Sequence, residues 1–153
     1  MEISKLIVPA KKRMDVSFLG EPGDYITLRG IPKRCQWEIT EAQTEGIDGK
    51  LYAEMMTNGQ FDQKKYLEKA GKNPAVNKML ALTIRNALEA NVLRCVYGID
   101  PKEHSFTTNG KPAELGKEFW AGLADCNEEA FNKILTAVIE YQEELQIEKK
   151  KTE

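Results

Sequence analysis

The residue types best suited to chemistry are few in this chain, and they are poorly grouped. The single histidine, His104, lies in a polar stretch from Asp100 to Ser105, with Ser105 beside it in sequence. A nucleophilic serine needs a base within hydrogen-bond reach and a third group to orient that base. Neighbours in sequence seldom point at each other productively, so His104 reads as an ordinary loop histidine. One histidine also excludes zinc motifs built on two. Asp100 and Glu103 flank it and offer at most a weak ion site. Cys35, Cys95 and Cys126 are odd in number and widely spaced, which fits neither a disulfide framework nor a structural zinc site. All three are expected to be buried, reduced thiols, Cys95 most clearly because it falls on an apolar helical stripe. Gly20-Glu21-Pro22-Gly23 lacks both the Lys-Ser/Thr ending of a phosphate-binding loop and the glycine spacing of a dinucleotide site. The other carboxylates are spread over helix positions that face solvent. The expectation is therefore no catalytic residue, no metal and no cofactor.

Composition narrows the class further. With 41% hydrophobic and 30% charged residues the chain has enough apolar content to offset the entropy of ordering, so it is not a disordered segment. At 153 residues it matches one domain that hides roughly 70% of its unfolded surface. The net charge is -2, and residues 1–60 carry eight Lys or Arg against nine Asp or Glu, so no basic half is concealed. A duplex-binding domain normally shows a basic surplus, because neutralising phosphates supplies most of its affinity; nucleic acid is not expected. Leu6-Ile7-Val8 is too short for a secretory core or a membrane span, and Lys11, Lys12 and Arg13 follow it. The chain is expected in the cytoplasm, away from membranes.

The elements are clearest in the second half. Asn73 caps and Pro74 starts a long helix, in which Val76, Met79, Leu80, Thr83, Ile84, Ala87, Leu88, Val92, Cys95 and Val96 form one broad apolar face. Gly98 suits the position just past its end, and Pro101 prevents resumption. A polar segment from Pro101 to Lys111 contains an Asn109-Gly110 turn signal. A shorter helix follows from Pro112 to about Ala124, turning Leu115, Phe119, Trp120 and Leu123 inward. The last helix is capped by Asn127, and its stripe is Phe131, Ile134, Leu135, Val138, Ile139 and Leu145. Its outer face is acidic, and Lys149, Lys150 and Lys151 close it. In the first half, Tyr25 to Arg29 reads as a strand with Val16 and Phe18 as its hairpin partner. Residues 33–45 lean to helix, although Trp37 and Ile39 also suit a strand. Residues 49–57 and 62–70 read as short helices separated by Asn58-Gly59. The fold class is thus mainly α (α+β): a small N-terminal β-hairpin or strand element followed by four to six helices in a single domain. Within it, residues 1–32 contain the β element, 33–72 short helices, 73–148 the helical core and 149–153 a basic tail.

Several features of the second half carry a family likeness. The long helix ends at Tyr97-Gly98-Ile99-Asp100, then come Phe106-Thr107-Thr108-Asn109-Gly110-Lys111-Pro112, Phe119-Trp120 with Leu123, and Glu129-x-Phe131-x-x-Ile134. Across residues 74–141 this order resembles the tail assembly chaperones of tailed phages and prophages. Members of that family often carry a Trp-Asn pair where this chain has Tyr97-Gly98. The resemblance implies a non-catalytic protein of the host cytoplasm that binds the tape-measure protein or tube subunits until the tail polymerises. Its binding surface would be apolar residues left over from the core. Tyr52, Met55, Met56 and Phe61 are candidates because Met-rich surfaces adapt to varied partners, and Trp37 is one because aromatic residues anchor interfaces. Trp120 is assigned to the core. A homo-oligomer is also compatible with the sequence, and the alternative role is a structural subunit or connector of a phage or bacterial assembly.

Overall fold

The computed structural model describes residues 10–152. In chain order the elements are β1 (Lys11–Asp15), β2 (Tyr25–Arg29), α1 (Lys33–Thr44), α2 (Gly49–Glu54), β3 (Met56–Thr57), β4 (Gln60–Phe61), α3 (Gln63–Ala70), α4 (Pro74–Gly98), β5 (Ile99–His104), β6 (Thr107–Thr108), β7 (Lys111–Pro112), α5 (Lys117–Cys126) and α6 (Glu128–Thr152). The mainly helical architecture with a small antiparallel sheet agrees with the sequence reading, and six α-helices lie among the described residues. Contacts divide this chain into two compact units. The first takes the described residues up to Trp37 and those from Asn91 onward, and the second is Glu38–Ala90.

In the first unit β2 is the middle strand of the order β1-β2-β5. The expected strand is β2, but its partner is β1, paired from Lys11↔Arg29 to Asp15↔Tyr25, and not Val16 and Phe18. Val16 instead turns into the core, its N–H donating to Asp24 O at 2.8 Å, and Phe18 stands exposed in a 3-10 turn. A Lys-Lys-Arg-Met-Asp strand carries no apolar alternation, and charge of this kind protects an open sheet edge. Ile26 and Leu28 enter a core with Val92, Cys95, Ile99, Leu115 and Trp120, closed by the α6 stripe Phe131, Ile134, Leu135, Val138 and Tyr141.

The polar segment after the long helix is more ordered than the sequence predicts. It holds β5, which pairs with β2 through Ile26↔His104 and Leu28↔Ile99, and then the β6–β7 hairpin. Pro101 is tolerated because β5 is an edge strand. Asn109 (φ 54°) and Gly110 (φ 77°) make the two-residue turn with both φ values positive that suits a hairpin. Gly98 is the last residue of α4 rather than the position beyond it, and its reason is space. A Cβ there would lie 2.5 Å from Val138 Cγ1, so its absence lets α6 approach α4. The open carbonyls at this helix end are met by Arg29, whose Nε–H donates to Tyr97 O at 3.0 Å. α5 begins at Lys117, not Pro112, since the chain first forms β7 and buries Leu115. Asn127 caps α6, accepting the Ala130 N–H at 3.2 Å. The three lysines belong to the last turn of α6, where the helix dipole favours cations.

The second unit has a much smaller core. Met55, Val76 and Met79 are buried, with Ile47, Leu51, Tyr66 and Ala70 partly covered around them. Asp48 caps α2 and Asp62 caps α3 through backbone N–H groups. The helix expected over 49–57 stops at Glu54, because residues 56–61 form a hairpin around Asn58 (φ 53°) and Gly59 (φ 78°). At the end of α1, buried Asn86 donates from Nδ2 to Glu45 O (2.7 Å) and Gln43 O (3.4 Å). Carbonyls there would otherwise lack partners, so Asn86 fixes where α1 ends against α4 within this unit.

Candidate protein-binding surface

The residues that looked reactive have structural duties. His104 is not a loop residue: it ends β5 and is buried. Its Nδ1 accepts the Phe106 N–H at 3.0 Å, so Nε2 carries the hydrogen that faces Pro101 O, also at 3.0 Å. Both ring nitrogens therefore hold the backbone of their own segment, from Pro101 to Phe106. Ser105 Oγ donates to Asp24 Oδ1 at 2.9 Å and accepts the Tyr25 N–H at 2.9 Å, stitching this segment to β2. The pair does not form a nucleophile and base. The weak ion site at Asp100 and Glu103 is taken by the Lys11 ammonium, 3.2 Å from Asp100 and 2.7 Å from Glu103. Burial opposes the Asp100 charge, but N–H groups of Lys102 and Glu103 and the Lys11 cation hold its pKa below the usual carboxylate value.

The cysteines divide two to one. Cys35 and Cys95 are buried, as expected, and burial pushes the Cys95 thiol up to about 12. Cys126 departs from the expectation: it is exposed at the end of α5, where the chain turns into the α6 cap. Among the described residues no group of three His, Cys, Asp or Glu is placed to hold a metal ion.

What the second unit does offer is a cleft of about 380 Å³, lined by Gln43, Thr44, Ile47, Tyr52, Thr83 and Ala87. Its lining holds no Asp, Glu, His, Cys, Lys or Arg side chain. Its two threonine hydroxyls donate to carbonyls of their own helices, Thr83 to Met79 O at 2.9 Å and Thr44 to Thr40 O at 3.2 Å. That leaves Tyr52 Oη and the Gln43 amide as polar handles in an apolar wall. Beside Thr83 and Ala87 on the α4 surface stand Ile84 and Leu88, each 56% exposed. These two sit one turn apart and form an exposed apolar ridge on α4, each next in sequence to a residue of the cleft lining. Leu67 on α3 is 64% exposed in the same unit.

The predicted partner-binding residues fare unequally. Tyr52 lines the cleft and is 40% exposed. Met56 and Phe61 face each other across the β3–β4 hairpin, and the exposed Phe61 ring lies 5.9 Å from that of Tyr66. Met55 does not join this surface, because it is fully buried at the centre of the small core. Trp37 is 75% exposed on α1 and belongs to the first unit. Trp120 is fully buried, edge-on to Phe119 at 4.8 Å, in agreement with its core assignment. Sequence reasoning missed Ile84, Leu88, Leu67 and Ile47. The available signal was the width of the α4 stripe, whose ten positions span more circumference than one packing face covers.

The surface is thus largely apolar, partly concave and without a carboxylate, histidine, thiol or cationic side chain in the cleft lining. No family model, curated protein or solved structure matches the chain, so the site's own geometry carries the functional argument.

Proposed function

We propose that this chain is a non-catalytic, protein-binding assembly factor of the tail assembly chaperone kind. In this reading it acts in the host cytoplasm and covers apolar surface of a tape-measure or tube protein until the tail polymerises. The observation that carries the reading is the exposed Ile84–Leu88 ridge beside the 380 Å³ cleft. Such a ridge-and-groove surface is what receives an apolar helix, through anchors spaced one turn apart. Contiguous exposed apolar surface on a small protein marks an interaction site, and Tyr52 supplies an amphipathic anchor of the type that dominates hot spots. Among the described residues no helix is long and apolar enough to cross a membrane, so the ridge is not part of a span.

Co-expression with a tape-measure fragment and a tube protein, followed by size-exclusion chromatography with light scattering, tests the proposal. The expected result is a complex that stays soluble only when this chain is present, and a finished particle from which the chain is absent. No co-elution and no rescue of solubility overturns it. Retention of the chain in finished particles would make it a structural subunit instead.

A further inference from the structure

The first unit holds a second cleft, of about 220 Å³, between α6 and the end of α4. Ile31, Val138 and Ile139 give it apolar walls, and Arg94 enters it from α4. Gln142 is a fixed part of the lining, since its Oε1 accepts the Ile31 N–H and its Nε2 donates to Arg29 O, both at 2.9 Å. We propose that Arg94 anchors a carboxylate side chain that a protein partner inserts into this cleft.

Three features of Arg94 point that way. Burial lowers its pKa, which means that its surroundings disfavour the charge, yet no carboxylate of the described residues lies within 4.0 Å of it. Charges taken partly out of water are normally paired. Of the five N–H groups of its guanidinium, one is used among the described residues, by Nη1 donating to Asn91 Oδ1 at 2.6 Å. The other arginines of this unit with partners differ: Arg29 donates to two helix-end carbonyls and Arg13 lies 3.8 Å from the Tyr25 ring centre. A planar fork with unused donors matches a carboxylate in bidentate geometry.

The cleft also limits the occupant. Its volume falls below the roughly 300 Å³ at which small-molecule sites begin, which favours one inserted side chain over a whole metabolite. Exposed Glu143 also lines it, and its charge repels a phosphate dianion more than it repels a single carboxylate. The inference rests on the reading of the chain as a protein binder, but it uses the other unit and a charged contact.

The test is an NMR titration of the full-length chain with N-acetyl-glutamate α-amide, and separately with inorganic phosphate, at low salt. The expected result is a saturable shift of the Arg94 Nε–Hε resonance and of the Ile139 and Gln142 amides with the glutamate probe. Arg94→Gln is expected to abolish it, Arg94→Lys to weaken it several-fold, and Glu143→Gln to strengthen it about twofold by removing a like charge. An unmoved Arg94 resonance, an unchanged titration in folded Arg94→Gln, or tighter binding of phosphate overturns the proposal. Rescue of a tape-measure fragment by the Arg94→Gln chain is scored in parallel. That rescue reports on the apolar surface of Glu38–Ala90, so the two readings fail separately.

Discussion

The two units of this chain use apolar residues in opposite ways. In the first, thirteen buried residues from the sheet, the end of α4, α5 and α6 close on one another, with further side chains packed around them. In the second, the core cluster has three buried residues, and Ile39 and Ala90 are buried apart from it. Yet among the described residues five of the nine large hydrophobic side chains that stand exposed, Tyr52, Phe61, Leu67, Ile84 and Leu88, lie within Glu38–Ala90, about a third of the chain. A unit that leaves so much apolar surface uncovered forgoes burial worth roughly 25 cal/mol per Å². The contrast is what a scaffold joined to an adaptable binding unit would show, and it can be broken or sharpened by experiment.

The largest effect is expected in the first core. Trp120→Ala removes its biggest fully buried side chain and should cost about 3–5 kcal/mol in urea denaturation. Met55→Ala should cost less, about 2–3 kcal/mol, and its effect should be confined to faster hydrogen exchange within Glu38–Ala90. Equal spread of both effects over all amides would erase the distinction between the units.

Asn86→Ala is expected to cost about 1–3 kcal/mol by leaving the Gln43 and Glu45 carbonyls without that donor. Because these carbonyls end α1 beside the cleft, the same variant should also weaken partner capture. Loss of stability with undiminished capture would show that the cleft does not depend on where α1 stops.

Acid should loosen the second unit through Asp62. The Lys65 N–H and then the Thr57 hydroxyl hold its carboxylate below the usual 3.8. A depressed folded pKa contributes stability that is present above the unfolded value and lost as pH falls through the folded one. The window therefore lies below about pH 3.8. Asp62→Asn should remove this part of the acid response, read by circular dichroism across pH 2 to 5.

Thiol labelling gives the smallest perturbation. In the folded chain Cys126 should alkylate readily, while Cys95, with its thiol raised to about 12, and buried Cys35 should react slowly. Rapid labelling of Cys95 without denaturant would mean that the first core opens easily.

Much of this fold is legible in the sequence where local signals agree. Asn73-Pro74 opens α4, Asn127 with two glutamates opens α6, and the Asn-Gly pairs mark two chain reversals, although the strands on either side of them were not foreseen. The failures share a physical cause, in that long-range pairing decided the outcome. β1 is nearly all charged and becomes a strand because β2 offers it a partner, and β5 contains a proline yet pairs with β2 from the edge. The α4 stripe could not reveal where burial stops, since Val76 and Met79 face the small core while Ile84 and Leu88 stay in solvent. Of the candidate binding residues, Tyr52 lines the cleft, whereas Met55 was misjudged for its flexibility, which here fills a core.

The most direct test of the binding surface is a double substitution, Ile84→Asp with Leu88→Asp, assayed for its ability to keep a co-expressed tape-measure fragment soluble. Both side chains are more than half exposed, so the cost in stability should stay at about 1–2 kcal/mol, from lower helix propensity and the like charges one turn apart. The account predicts a folded protein that no longer rescues the fragment. Full rescue by the double variant would contradict it and move the binding surface away from α4.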